Sequence, residues 1–202
     1  MQPSRVGGEK RLAVEPLFEA LYEAHGRAIL AYALRRLPNA ADAEEAAAET
    51  FVVAWRRLGD RPSTDDALPW LYAIARRVVA NHHRAAERRD RLIDRVRDRA
   101  VSEVTAGHQA ESLVMDVLME MRADDRELLR LVAWEGLSHD EIAVVLGISP
   151  NAVAIRLHRA RIRFQHVLAD RRSMDLKGSA PSRTLTRAKG RLLDRLRRER
   201  SG

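Results

Sequence analysis

No cysteine occurs in the 202 residues, which excludes a disulfide framework and any thiolate metal site. No run of about 18 apolar residues occurs either, so nothing reads as a membrane-crossing helix. The opening, MQPSRVGGEK, lacks the apolar core of a signal peptide. A cytoplasmic protein without membrane insertion is therefore expected. The marks of covalent chemistry are missing as well: no Gly-rich phosphate loop, no H-E-x-x-H and no nucleophile motif. The seven histidines (His25, His82, His83, His108, His139, His158, His166) show no ligand spacing. His82 and His83 are adjacent, so they diverge around a helix and cannot share a metal as an i, i+4 pair would. No enzymatic activity, cofactor or metal is expected.

Charge is present but unevenly placed. Residues 171–202 hold 11 of the 36 basic and 3 of the 29 acidic residues, so this tail carries +8 and the rest of the chain −1. The net +7 is thus a property of the tail and does not by itself make the remainder a nucleic-acid binder.

The most informative stretch is LSHDEIAVVLGISPNAVAIRLHRARIRF, Leu137 to Phe164. Glu141 to Leu146 reads as a short helix, and Gly147 supplies a turn residue free to take positive φ. Ser149 is placed to cap a second helix, with Pro150 at its first position. Helix, short Gly turn, helix is the pattern of a helix-turn-helix. On the second helix Val153, Leu157, Ala160 and Phe164 share one apolar stripe. Asn151, Ala154, Ile155 and His158 point the other way, with Arg156, Arg159, Arg161 and Arg163 on the flanks. Such a helix suits a major groove, the outward face reading base edges while arginines hold phosphates. A plain amphipathic helix with a solvated basic side has the same pattern and is the bland alternative.

The rest of the chain is also helical in period. LFEALYEAHGRAILAYALRRL places Phe18, Leu21, Tyr22, Ala28, Ile29, Tyr32 and Leu37 at helical spacing, from Pro16 to a break at Pro38 and Asn39. Asp42 is placed to cap the next helix, whose buried stripe is Ala43, Ala47, Phe51, Ala54 and Leu58. Asp42, Glu45, Glu49 and Val52 face away from that stripe, as an acidic patch with an apolar spot. A third helix, from about Ala67 or Pro69 to Arg88, has Leu71, Ile74, Ala75, Val78 and His82 inside. Its outer arc carries Arg76, Arg77, Ala80, His83 and Arg84, with Asn81 at the edge of the inner stripe. Trp70 reads as a core anchor.

The expected fold is all-α: two small helical domains joined by a flexible linker, the C-terminal one containing the helix-turn-helix. The boundaries read as a leader over 1–13, a first domain over 14–90, a charged linker over 91–113, a second domain over 114–170 and a basic tail over 171–202. By composition the tail is expected to be disordered or partly helical.

With both halves laid out, the chain resembles a bacterial RNA polymerase sigma factor of the small, extracytoplasmic-function (ECF) group. Four blocks carry the match in order. LFEALYEAHGRAILAYALRRL resembles the opening helix of the first sigma domain. DAEEAAAETFVVAWRRL resembles the polymerase-binding helix. WLYAIARR, with Arg84, Arg88 and Arg89, resembles the helix that opens and reads the minus-ten element. LSHDEIAVVLGIS, continuing through VAIRLHRAR, resembles the minus-thirty-five reader. The resemblance spans about residues 14–90 and 114–169.

The resemblance implies three binding faces. Asp42, Glu45, Glu49, Phe51 and Val52 would hold the basic clamp helices of core RNA polymerase. Arg76, Arg77, Asn81, His83, Arg84 and Arg88, with the loop from Asp60 to Asp66, would capture the displaced strand of promoter DNA. Asn151, Ala154, Ile155, Arg156, His158, Arg159 and Arg161 would read the upstream duplex. An anti-sigma factor is a further partner the resemblance admits. The chain departs from the family pattern at Ala48 (usually Gln), Arg77 (frequently Asn), and Ala152, Ala154 and Ile155 (commonly Thr, a basic residue and Ser). Ile155 can meet a thymine methyl but cannot hydrogen-bond a base, so DNA shape is expected to carry more of the specificity. The rival reading is a dimeric helix-turn-helix regulator that acts without polymerase. It leaves the acidic second helix and basic third helix without a role.

Overall fold

The computed structural model describes residues 6–60, 66–93 and 109–178. Among these residues all regular structure is helical, and it divides into two compact units, the first built on residues 6–93 and the second on residues 109–143 and 147–178. The interior of the Asp60–Asp66 loop, most of the expected linker and the tail beyond 178 lie outside the described residues.

The first unit packs α1 (Val6–Leu34), α2 (Ala40–Arg56) and α3 (Ala67–Ile93) on one another, with a 3-10 turn at Leu58–Asp60. Helix α1 begins ten residues ahead of Pro16, which the sequence placed at its start. Proline's fixed φ is itself helical, so a helix can run through it with the loss of one hydrogen bond. Helix α2 is capped by Asn39 rather than Asp42: the Asn39 side chain accepts the Asp42 N–H at 2.8 Å. Its inner face is almost all alanine, with Ala43, Ala46, Ala47 and Ala54 buried around Phe51. Small side chains let the neighbouring helices approach closely. Thr50, also buried, satisfies its hydroxyl by donating to the Ala46 carbonyl at 2.7 Å.

Helix α3 buries Leu71, Ile74, Ala75 and Val78 as its spacing predicts, and Trp70 joins them in the core. Tyr32 of α1 lies 5.2 Å from the Tyr72 ring of α3. Arg36, buried just past α1, lays its guanidinium 3.4 Å over the Tyr32 ring and donates to the Tyr32 carbonyl at 3.0 Å. The helix continues to Ile93, past the expected end at Arg88, because ERRDRL contains no residue that stops a helix.

Burial holds the half-buried His25 of α1 below its ordinary pKa of 6.5. The sign follows from proton binding: the unfolded chain takes up the proton more readily than the folded one. This contribution to stability is whole above pH 6.5 and declines as pH falls through and below that value. Thermal unfolding of the first unit, followed by circular dichroism, should shift to lower temperature between pH 7.5 and 5.5. His25→Gln should flatten that dependence.

The second unit contains α4 (Gln109–Glu120), α5 (Ala123–Ala133), the start of α6 (His139–Leu146) and α7 (Pro150–Gly178). Helix α7 packs on α4 and α5. Val117 and Leu118 of α4, Leu131 and Val132 of α5, and Val153, Leu157, Ala160 and Phe164 of α7 are all but inaccessible. Each buried leucine or valine contributes roughly 1.5–3 kcal/mol of transfer free energy. Asp125, buried at the start of α5, accepts two hydrogen bonds from the Arg163 guanidinium, both at 2.7 Å. Such a bidentate pair fixes α7 against α5 in register as well as contact. Its hydrogen bonds to Asp125 also raise the Arg163 pKa above the ordinary arginine value.

Helix α7 passes the expected end at Asp170 and reaches Gly178. Arg171 anchors this extension to α4 through Glu120 and, at 4.0 Å, Asp116. At the other end of the unit, α4 starts at Gln109, inside the stretch expected to be linker.

Candidate protein and nucleic-acid interfaces

The helix-turn-helix is assembled by local hydrogen bonds. Ser138 caps α6 by accepting the Glu141 N–H at 3.3 Å, while the Glu141 carboxylate accepts the Ser138 N–H at 2.8 Å. This reciprocal capping box fills two donors that the helix start leaves open. Gly147 ends α6 in the left-handed region at φ 67° and donates its N–H to the Ala143 carbonyl at 2.8 Å. Ser149 then caps α7, accepting the Ala152 N–H at 3.2 Å. The two helices meet at 98°, within the range of a helix-turn-helix.

The outward side of α7 leaves Asn151, Ile155, Arg156, His158 and Arg159 exposed, with Ala154 and Arg161 half-buried. Ile155 is 46% exposed although it is a large apolar residue. Arg163, grouped by spacing with the flanking arginines, is instead committed to Asp125. It belongs to the packing of the unit, not to the open basic flank.

On α2, Glu45, Ala48, Glu49 and Val52 are exposed on the side opposite the buried stripe, Val52 at 48%. Two residues of the expected face sit differently. Phe51 is only 5% exposed and packs edge-on against Phe18 and Tyr22, so it supports the face from beneath. Asp42 is half-buried and accepts from the Asn39 side-chain amide at 2.8 Å, which ties it to the helix cap. Tyr22, one of the apolar and aromatic residues at helical spacing along α1, is 56% exposed and adds an aromatic edge beside Phe51. Glu49 lies 3.2 Å from the Nε2 of His82 on α3.

The outer arc of α3 exposes Arg77, Asn81, His83, Arg84 and Arg88, with Arg76 half-buried. Arg84 donates to the Asn81 side-chain carbonyl. That bond leaves the Asn81 amide hydrogens pointing away from Arg84, as donors. Among the described residues no three His, Asp or Glu side chains converge as metal ligands would, and no single helix is long and apolar enough to cross a membrane.

A helix-turn-helix unit preceded by a separate three-helix unit defines a DNA-binding protein with a second working part. Comparison with known proteins specifies which. Residues 21–89 match the family Sigma-70 region 2, and residues 112–164 match Sigma-70, region 4. The ECF RNA polymerase sigma factor SigL of Mycobacterium tuberculosis is 30% identical over 165 residues, covering 78% of this chain and 91% of SigL. The RNA polymerase sigma factor CarQ of Myxococcus xanthus is 29% identical over 167 residues, covering 79% and 94%. Among solved structures, the sigma factor RpoE bound to the anti-sigma factor NepR, from Bartonella quintana, superimposes with a TM-score of 0.59 at 24% identity. It covers 75% of this chain and 96% of that one. CnrH, in complex with the cytosolic domain of CnrY, gives a TM-score of 0.51 at 28% identity, over 77% and 90%. The chain belongs to the sigma-70 family of RNA polymerase sigma factors, in the ECF group. Members of this family direct transcription initiation and are not themselves enzymes.

Proposed function

We propose that this sigma factor divides its work among three surfaces. The exposed side of α2, centred on Glu45, Glu49 and Val52, docks on a basic surface of core RNA polymerase. Asp42 and Phe51 shape that side from its cap and its underside. The arc of α3, with Arg76, Arg77, Asn81, His83, Arg84 and Arg88, holds the displaced strand at the minus-ten element. The outward side of α7, with Asn151, Ala154, Ile155, Arg156, His158, Arg159 and Arg161, reads the minus-thirty-five duplex. The domains that carry these surfaces are taken as 14–90 and 114–170, joined by a linker over 91–113. The chain works in the cytoplasm and performs no covalent chemistry. Promoter opening draws on binding free energy shared with the polymerase. An inhibitory anti-sigma partner is part of the proposal, supported by the complex of the sigma factor RpoE with the anti-sigma factor NepR.

The observation that carries this reading is the division of α2 into one buried and one open side. Ala43, Ala46, Phe51 and Ala54 are inside, while Glu45, Glu49 and Val52 are left outside. A regulator acting without polymerase has no use for that open acidic side. In vitro transcription tests the reading: core polymerase, this protein and a library of upstream genomic fragments. Transcripts that depend on the protein establish promoter-directed initiation. Specific duplex binding by the protein alone, without transcripts, would favour the dimeric regulator.

Arg159 is exposed on the reading face. A bidentate base contact is worth about 1–3 kcal/mol, so Arg159→Ala should lower affinity for the upstream element about tenfold while sparing unrelated duplexes. Equal loss on all duplexes, measured by fluorescence anisotropy, would make it a phosphate contact instead.

A further inference from the structure

His82 falls on the inner stripe of α3, one turn past Val78, yet it is not a core residue. Its side chain is 17% exposed, and it reaches across to α2 with Nε2 3.2 Å from the Glu49 carboxylate. An ionised carboxylate only accepts, so the Nε2 of His82 carries the proton in this contact. The two residues are 33 apart in sequence, and the bond crosses from one helix to the next. Glu49 is therefore not a freely rotating surface glutamate.

We infer that His82 is a positioning residue for polymerase docking: it holds the Glu49 carboxylate in the orientation that a basic partner side chain meets. The inference rests on the proposed docking role of α2. A glutamate on an open helix surface has three rotatable side-chain bonds, and fixing them on binding opposes association. The bond to His82 settles that orientation before the partner arrives. A carboxylate has about four acceptor positions, so one bond to His82 leaves room for a basic side chain. His82 also lies between Asn81 and His83 in the α3 segment assigned to the minus-ten strand. One hydrogen bond thus links the helix that holds polymerase to the helix that holds DNA.

The test is a double-mutant cycle on the full-length chain, read as affinity for core RNA polymerase. Glu49→Ala should weaken binding about tenfold and His82→Ala about threefold to tenfold, the range of one or two partly exposed polar contacts. The double variant should bind no worse than Glu49→Ala alone, because His82 acts only through Glu49. His82→Gln, whose amide nitrogen can take the place of Nε2, should restore most of the affinity. If the His82→Ala loss instead multiplies onto that of Glu49→Ala, or if His82→Gln gives no recovery, His82 is a structural residue and the inference fails while the docking role stands. If Glu45→Ala and Glu49→Ala both bind like the parent chain, the docking role itself fails and the inference falls with it.

Discussion

A chain carrying Glu45→Lys together with Glu49→Lys should no longer co-migrate with core RNA polymerase. Both glutamates are exposed and lie one turn apart on the open side of α2. Reversing them sets like charges against a basic partner, and such juxtapositions oppose binding by several kcal/mol. A loss of about a hundredfold or more is the expected size. The fold should survive. Exposed substitutions of this kind change stability by only about 0.5 kcal/mol. Breaking the hydrogen bond between His82 and Glu49, a partly exposed pair, adds about 1 kcal/mol at most. Gel filtration with core polymerase, paired with a circular dichroism melt, checks both halves. Undiminished co-migration would move the docking surface elsewhere.

The second large effect belongs to Leu157→Ala. Leu157 is fully buried on α7, between Val153 and Ala160 on the stripe that faces the interior. Truncating a buried leucine removes about 2–5 kcal/mol, from reduced transfer free energy and the cavity left behind. Small domains are stable by only about 5–15 kcal/mol in total. The variant should therefore melt in two steps, with the transition of the second unit displaced to low temperature. Specific duplex binding should vanish at 37 °C. The first unit has its own core, so docking through α2 should persist. Normal binding of the upstream duplex by Leu157→Ala would show that α7 is held by something other than its apolar stripe.

Both variants act on features legible in the sequence, but not to the same depth. The helix-turn-helix could be read nearly residue by residue. Its signals act across three or four positions: Ser149 capping α7, Gly147 at positive φ, Pro150 at the first helical position. The buried stripes of α2, α3 and α7 could be read because helical period alone sorts side chains by face. Period was less reliable at the edge of a stripe. Tyr22 recurs at helical spacing with Leu21, Ile29 and Tyr32, yet the packing of α1 buries those three and leaves Tyr22 largely outside. The cap of α2 was displaced from Asp42 to Asn39, both residues able to accept from a helix start.

What the chain's order of residues determined was the all-helical class, the two-unit division, the open acidic side of α2 and the exposed side of α7. These follow from local propensity, capping and period, which operate within a few turns of helix. Tertiary structure decided which polar side chains are already spoken for. Arg163 meets Asp125 across 38 residues, His82 meets Glu49 across 33, and Arg171 meets Glu120 across 51. Spacing along one helix cannot anticipate such pairs, because each partner is chosen by how a second helix packs against the first. The arginine that looked free for phosphate thus became a brace, and the histidine that looked like core became a support for a surface glutamate.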